Sequence, residues 1–107
     1  MTKFDDREKA FESKYSRDQE NEFKVVARRN KLLGLWAAEK MGKSGDAAAD
    51  YAKDVVTADF EEVGHDDVVR KVVNDFSAAG VDVSEHIVRS EMDKLLAVAR
   101  EQIKNES

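Results

Sequence analysis

Four cations crowd one short stretch of the chain: Lys24, Arg28, Arg29 and Lys31. Guanidinium and ammonium groups at that density could hold phosphate oxygens, with arginine offering paired donors. A solvated helix face is the plainer reading of any one of them. Gly42-Lys43-Ser44-Gly45 sets a lysine and a serine between glycines but lacks the spacing of a phosphate-cradling loop. His65 and His86 stand near predicted helix starts, and neither has a histidine partner four residues away, so no metal pair is read. Asp59, Glu61, Glu62, Asp66 and Asp67 cluster, yet carboxylates do acid–base work only where burial or a neighbour separates their pKa values. These flank predicted helix ends and read as a solvated rim. No helix carries the Glu-x-x-His pairs of a di-iron bundle. The absence of cysteine excludes disulfides, thiolate zinc, iron–sulfur clusters and thiol nucleophiles. No catalytic group and no metal site emerge, and the chain is read as a non-enzyme with no required cofactor.

A second constellation is built for contact. Phe4, Phe11 and Tyr15 are spaced seven and four apart, with Glu8 between, so on a helix they form one narrow line. The line is too thin for a core but suits an amphipathic helix laid in a groove. The alternative is that the segment folds back and the aromatics cap the rest of the protein.

The surrounding segment, residues 1–22, is dense in charge. Thr2-Lys3-Phe4-Asp5 resembles a capping box, and Asp5-Asp6-Arg7-Glu8 is a second. Asp5 with Lys9 and Lys14 with Asp18 are opposite charges four apart, each worth about 0.2–0.5 kcal/mol. These features are weak, and an isolated helix of this length is marginal in water. The expectation is an arm that frays when free and becomes fully helical on a partner. From Phe23 to Met41 the pattern turns apolar at helical spacing, with Phe23, Val26, Ala27, Leu33, Trp36, Ala37 and Met41 as candidate core.

Glycine supplies the punctuation, since proline is absent. Gly42, Gly45, Gly64 and Gly80 suit positions past helix ends, and Ser44 or Asp46, Asp66 and Ser84 suit caps. Val83 and Val88 could staple the last helix start. Helix two shows Ala48, Tyr51, Ala52, Val55, Val56, Phe60 and Val63; helix four shows Ile87, Val88, Met92, Leu95, Leu96, Ala99 and Ile103. The valines of segment three favour strand by propensity, but Val68-Val69 and Val72-Val73 are pairs four apart, which predicts a helix. Gly34, inside helix one near Ala37 and Ala38, predicts close approach of another helix backbone. The prediction is all-α: one domain, residues 1–107, with a four-helix bundle at 23–107 and a long first helix whose N-terminal half projects or is flexible.

At 107 residues the chain can bury one modest core. A formal net charge of −5 makes nucleic acid a poor partner. No run of apolar residues is long enough to span a membrane, and MTKFDDRE does not read as a signal peptide. A cytoplasmic location is expected.

The residues also carry a resemblance. ARRNKLLGLWAAEKMG (residues 27–42), YAKDVVTADFEEVG (51–64) and the opening FDDREKAFESKY (4–15) resemble the zeta subunit of alphaproteobacterial ATP synthases, from end to end. The resemblance implies a small four-helix inhibitor of ATP hydrolysis by the rotary proton-translocating ATP synthase. It implies an N-terminal segment inserted between alpha and beta subunits near the gamma stalk, blocking rotation in the hydrolytic direction. It also implies ADP or ATP binding on the bundle, and a place beside the inner membrane through the synthase. Mapped by position, the inhibitory segment runs from Thr2 to about Gln19. Phe4, Phe11 and Tyr15 would be its anchors, and Arg7, Glu8, Lys9 and Glu12 its charged contacts. Lys3, Asp5 and Asp6 belong to the same segment. Lys24, Arg28, Arg29 and Lys31 would be the candidate nucleotide contacts. The rival readings are an adenine-nucleotide-sensing module and a general adaptor bundle.

Overall fold

A computed structural model describes the backbone of residues 3–59 and 65–106, with side chains from Asn21 onward in those ranges. It contains four helices: α1 (Lys3–Lys40), α2 (Gly45–Ala58), α3 (Asp66–Ala78) and α4 (Glu85–Glu106). No strand occurs among the described residues. The third segment is a helix because its valine pairs return to one face every turn. Val68, Val69, Val72 and Phe76 are all buried there.

Two of the breaks follow from backbone chemistry. At Gly42, φ is +77°, the Lys43 N–H donates to the Ala38 carbonyl at 2.8 Å, and the Gly42 N–H donates to Glu39 at 3.1 Å. That pattern satisfies the last carbonyls of α1 and requires a left-handed residue. Gly80, φ +73°, repeats it for α3, with the Val81 N–H on the Phe76 carbonyl. Val81 packs onto the core as such an ending favours. Ser84 caps α4, its Oγ accepting from the Ile87 N–H at 3.2 Å. Val83 and Val88, on either side, both pack in the core.

The other caps differ from expectation. Ser44 occupies the N-cap of α2 with no side-chain bond. His65, not Asp66, occupies the N-cap of α3. Asp66 and Asp67 instead sit in its first turn, where carboxylates favour the positive end of the helix dipole. The expected roles of Phe60, Val63 and Gly64 lie outside the described residues, as do both capping boxes of the N-terminal segment.

The core gathers Leu33, Ala37 and Ala38 of α1, Tyr51 and Val55 of α2, the α3 valines with Phe76, and Val88 and Met92 of α4. Trp36 meets Phe76 edge-on, centroids 5.6 Å apart. The close approach predicted at Gly34 is present. A Cβ there would lie 2.6 Å from Ala52 Cα. This contact sets the α1–α2 register.

The bundle is elongated. α1 has 38 residues, against 14 in α2 and 22 in α4. At 1.5 Å per residue it is about 57 Å long and outruns α4 by about 24 Å. The radius of gyration, 17.4 Å, exceeds the roughly 13 Å of a compact chain of about this length. Arg100 holds Glu22 through two bonds of 2.8 and 2.9 Å. Arg28 reaches Gln102 at 2.8 Å and Glu106 at 2.8 Å. The last turns of α4 are thereby fastened to the middle of α1.

Candidate functional site

The basic cluster of α1 does not stay together. Successive helical residues point about 100° apart, so Lys24, Arg28 and Lys31 share a face whereas Arg29 does not. The first three line a groove of about 490 Å³, with Phe23, Ala27, Val56 and Ile103 as its apolar part and Glu106 at its edge. Lys24 and Lys31 are exposed. Arg28 is drawn towards α4 by Gln102 and Glu106. A phosphate group entering here would compete with Glu106 for that guanidinium.

Arg29 is 4 % exposed and faces inward. Its Nε and Nη2 donate to Asn30 Oδ1 at 3.1 and 2.9 Å. Asn30 is itself 1 % exposed. Nη2 also lies 3.0 Å from His65 Nδ1, which in turn lies 3.2 Å from Asp59 Oδ1. Nδ1 can accept from Arg29 when unprotonated or donate to Asp59 when protonated, but not both. Burial pushes the Arg29 guanidinium below its ordinary range, and the charges of Asp59 and Asp93 oppose that shift. Arginine nonetheless stays cationic in proteins. This group ties α1 to the start of α3 and is unavailable to a ligand as it stands.

The sequence carried a signal for this burial. Arg29 lies four residues after Val25 and four before Leu33, both buried, so it falls on the inward stripe. Phe23 and Ile87, both expected in the core, are 58 % and 48 % exposed. With Gly34 against Ala52 in antiparallel register, Ala58 reaches only about as far as Arg28, and Phe23 lies beyond it. Val25 takes the buried position instead, while Val26 and Ala27 are half-buried.

Continuous with the first groove, through Lys31 and Val56, is a second of about 580 Å³ between α1 and α2. Leu35, Ala49, Ala52 and Val56 supply its apolar surface. Lys31 on α1 and Lys53 on α2 stand on opposite banks.

On the other side of α2, Tyr51 donates to Asp75 Oδ2 at 2.8 Å, and Lys71 reaches the same oxygen at 3.1 Å. Burial, then the bond to Asp75, pushes the Tyr51 phenol well above its ordinary range. It is a neutral structural donor. No group of three or more metal-ligating side chains occurs among the described residues, and none of their helices is long and apolar enough to cross a membrane. The side chains of Lys3, Phe4, Asp5, Asp6, Arg7, Glu8, Lys9, Phe11, Glu12 and Tyr15, and all of Thr2, lie outside the described residues. Their backbone from Lys3 onward belongs to α1.

Comparison with known proteins places the chain. The family model described as ATPase inhibitor subunit zeta matches residues 1–102. Among solved structures, one determined by solution NMR is 53 % identical in sequence, with a TM-score of 0.71. The match covers 79 % of this chain and 96 % of that one. No curated protein matches.

Proposed function

The chain belongs to the ATPase inhibitor subunit zeta family, and from that premise we propose that it inhibits ATP hydrolysis by the rotary proton-translocating ATP synthase through its N-terminal arm. The observation that best supports this reading is the continuity of α1. One helix runs from Lys3 to Lys40, and its later half is locked into the core through Leu33, Ala37 and Ala38. In this reading, load applied to the arm passes into the bundle along one unbroken helix. The Glu22–Arg100 and Arg28–Glu106 pairs brace the helix where it leaves the bundle.

In this reading residues 1–22 are the inhibitory arm and enter an interface between alpha and beta subunits near the gamma stalk. Phe4, Phe11 and Tyr15 anchor it, because buried aromatics dominate helix-in-groove contacts. Arg7, Glu8, Lys9 and Glu12 pair with the groove walls and set register and association rate. An obstacle lodged asymmetrically beside a rotor stops one direction of rotation more than the other. The protein performs no reaction of its own and works beside the inner membrane, on the cytoplasmic face, through the synthase.

The direct test is to measure both directions of the synthase. Hydrolysis should fall steeply on adding the protein, with synthesis far less affected. Equal suppression of both overturns one-way blocking. Phe11→Ala with Tyr15→Ala should abolish most of the inhibition while leaving thermal melting unchanged. A large drop in Tm with inhibition preserved would place those residues in the core.

Modulation by ADP or ATP is the accompanying proposal. Lys24, Arg28 and Lys31 converge on one groove with an apolar wall, which suits a phosphate beside a base. Arg29 is left out of it, being committed to Asn30. Amide shifts clustered on that groove during an ADP titration would support the proposal, and none at millimolar ADP would end it.

A further inference from the structure

We propose that the groove between α1 and α2 docks an acidic amphipathic helix of the synthase head, as a second contact beside the arm; this rests on the inhibitor reading. The groove surface is apolar, formed by Leu35, Ala49, Ala52 and Val56. Its banks are cationic, with Lys31 on one helix and Lys53 on the other. Both lysines are exposed, and among the described residues neither has an ion-pair partner. That sets them apart from Arg70, Lys71, Arg89 and Arg100, each held by a carboxylate. The chain as a whole is acidic, at −5, so this is a local reversal of sign.

An apolar floor between two cationic banks is complementary to a helix with an apolar stripe flanked by acids. The dimensions agree. The groove's lining runs along α2 from Ala49 to Thr57, which at 1.5 Å per residue is about 12 Å, or two helical turns. Position agrees as well. The groove begins on α1 at Lys31, about 14 Å along the helix from the end of the arm, so a body gripping residues 1–22 has it within reach. The close packing of Gly34 on Ala52 keeps the two banks in fixed relation, so the surface is preformed.

The test uses the full-length protein and purified synthase head. In K31E/K53E both lysines are exposed, and melting should match the wild type. Its association rate with the head at low salt should fall about ten-fold, the loss shrinking as salt rises. K43E/K94E carries the same change in net charge at exposed positions outside the groove, and should stay within about two-fold of wild type. A photoreactive side chain at Ala49 should crosslink to an acidic helical peptide of the head. Equal rates for K31E/K53E and the control overturn the docking proposal alone. A wild-type protein that does not bind the head overturns the inhibitor reading, and this proposal with it. If sedimentation shows a dimer of the free protein that K31E/K53E dissociates, the occupant is a second copy and the proposal falls.

Discussion

Gly34→Ala should destabilise this protein, although the same change in an exposed helix would stabilise it. Alanine is favoured over glycine in a helix interior by roughly 0.8–1.0 kcal/mol. Against that, the new methyl would lie 2.6 Å from Ala52 Cα, 3.2 Å from its Cβ and 3.3 Å from Val55 Cγ2. Carbon atoms rest about 3.5–4.0 Å apart, so α1 and α2 must separate by about 1 Å along this seam. The nearest atom is backbone, and no rotamer change removes it. Overpacking of this kind typically costs about 1–3 kcal/mol. Because rigid helices must move, the upper half of that range applies, and the net loss is about 1–2 kcal/mol. For a domain of this size that lowers Tm by roughly 5–12 °C. The assay is thermal unfolding followed by circular dichroism at 222 nm. Ala52→Gly added to Gly34→Ala should restore stability only in part, since the contact with Ala52 Cα persists. An unchanged or raised Tm for Gly34→Ala would refute the argument, because helix propensity would then outweigh the close approach.

Asn30→Ala strips Arg29 Nε and Nη2 of their shared acceptor in a buried site. It should cost about 2–3 kcal/mol, read as a shift in the denaturant midpoint, whereas Asn30→Asp should cost less by keeping an oxygen for the guanidinium. Phe76→Ala removes a side chain with no exposed surface from beneath Trp36 and should cost about 3–5 kcal/mol; a loss below 1 kcal/mol would mean the core is not closed there. The bonds from Arg100 hold the Glu22 carboxyl below its ordinary 4.5. A depressed folded pKa contributes stability above the unfolded value and loses it as pH falls through the folded one. Wild type should thus lose a small increment of stability on acidification below about pH 4.5. In Glu22→Gln that increment should be absent, as comparison of melting curves across that window will show.

Much of the architecture was legible in the order of residues. Gly42 and Gly80 end helices because only a residue free of Cβ strain accepts φ near +75° while its own N–H and the next one close onto the preceding turn. The valine pairs of α3 specify a helix because adjacent valines point to opposite faces of a strand, whereas residues 68, 69, 72 and 73 gather on one side of a helix. Ser84 caps α4 and Gly34 admits a neighbouring backbone for equally local reasons, and the segments quoted from the first two helices suffice to point to the zeta family.

What tertiary structure decided is which stretch of each stripe finds a partner. Phe23 is apolar and in register with the core face of α1, yet it is exposed because α2 reaches Ala58 before coming level with it. Arg29 and Asn30 are polar, yet they are buried because they lie just inside that limit, Arg29 on the stripe of Val25 and Leu33 and Asn30 in line with Gly34 and Ala37. Once there, the guanidinium must find acceptors, and Asn30 and His65 supply them from neighbouring and distant sequence. The basic cluster thus divides into a buried strut and an open groove. Linear order shows four cations; helical phase separates Arg29 from the others, and the packing of α4 and α2 gives each part its surroundings.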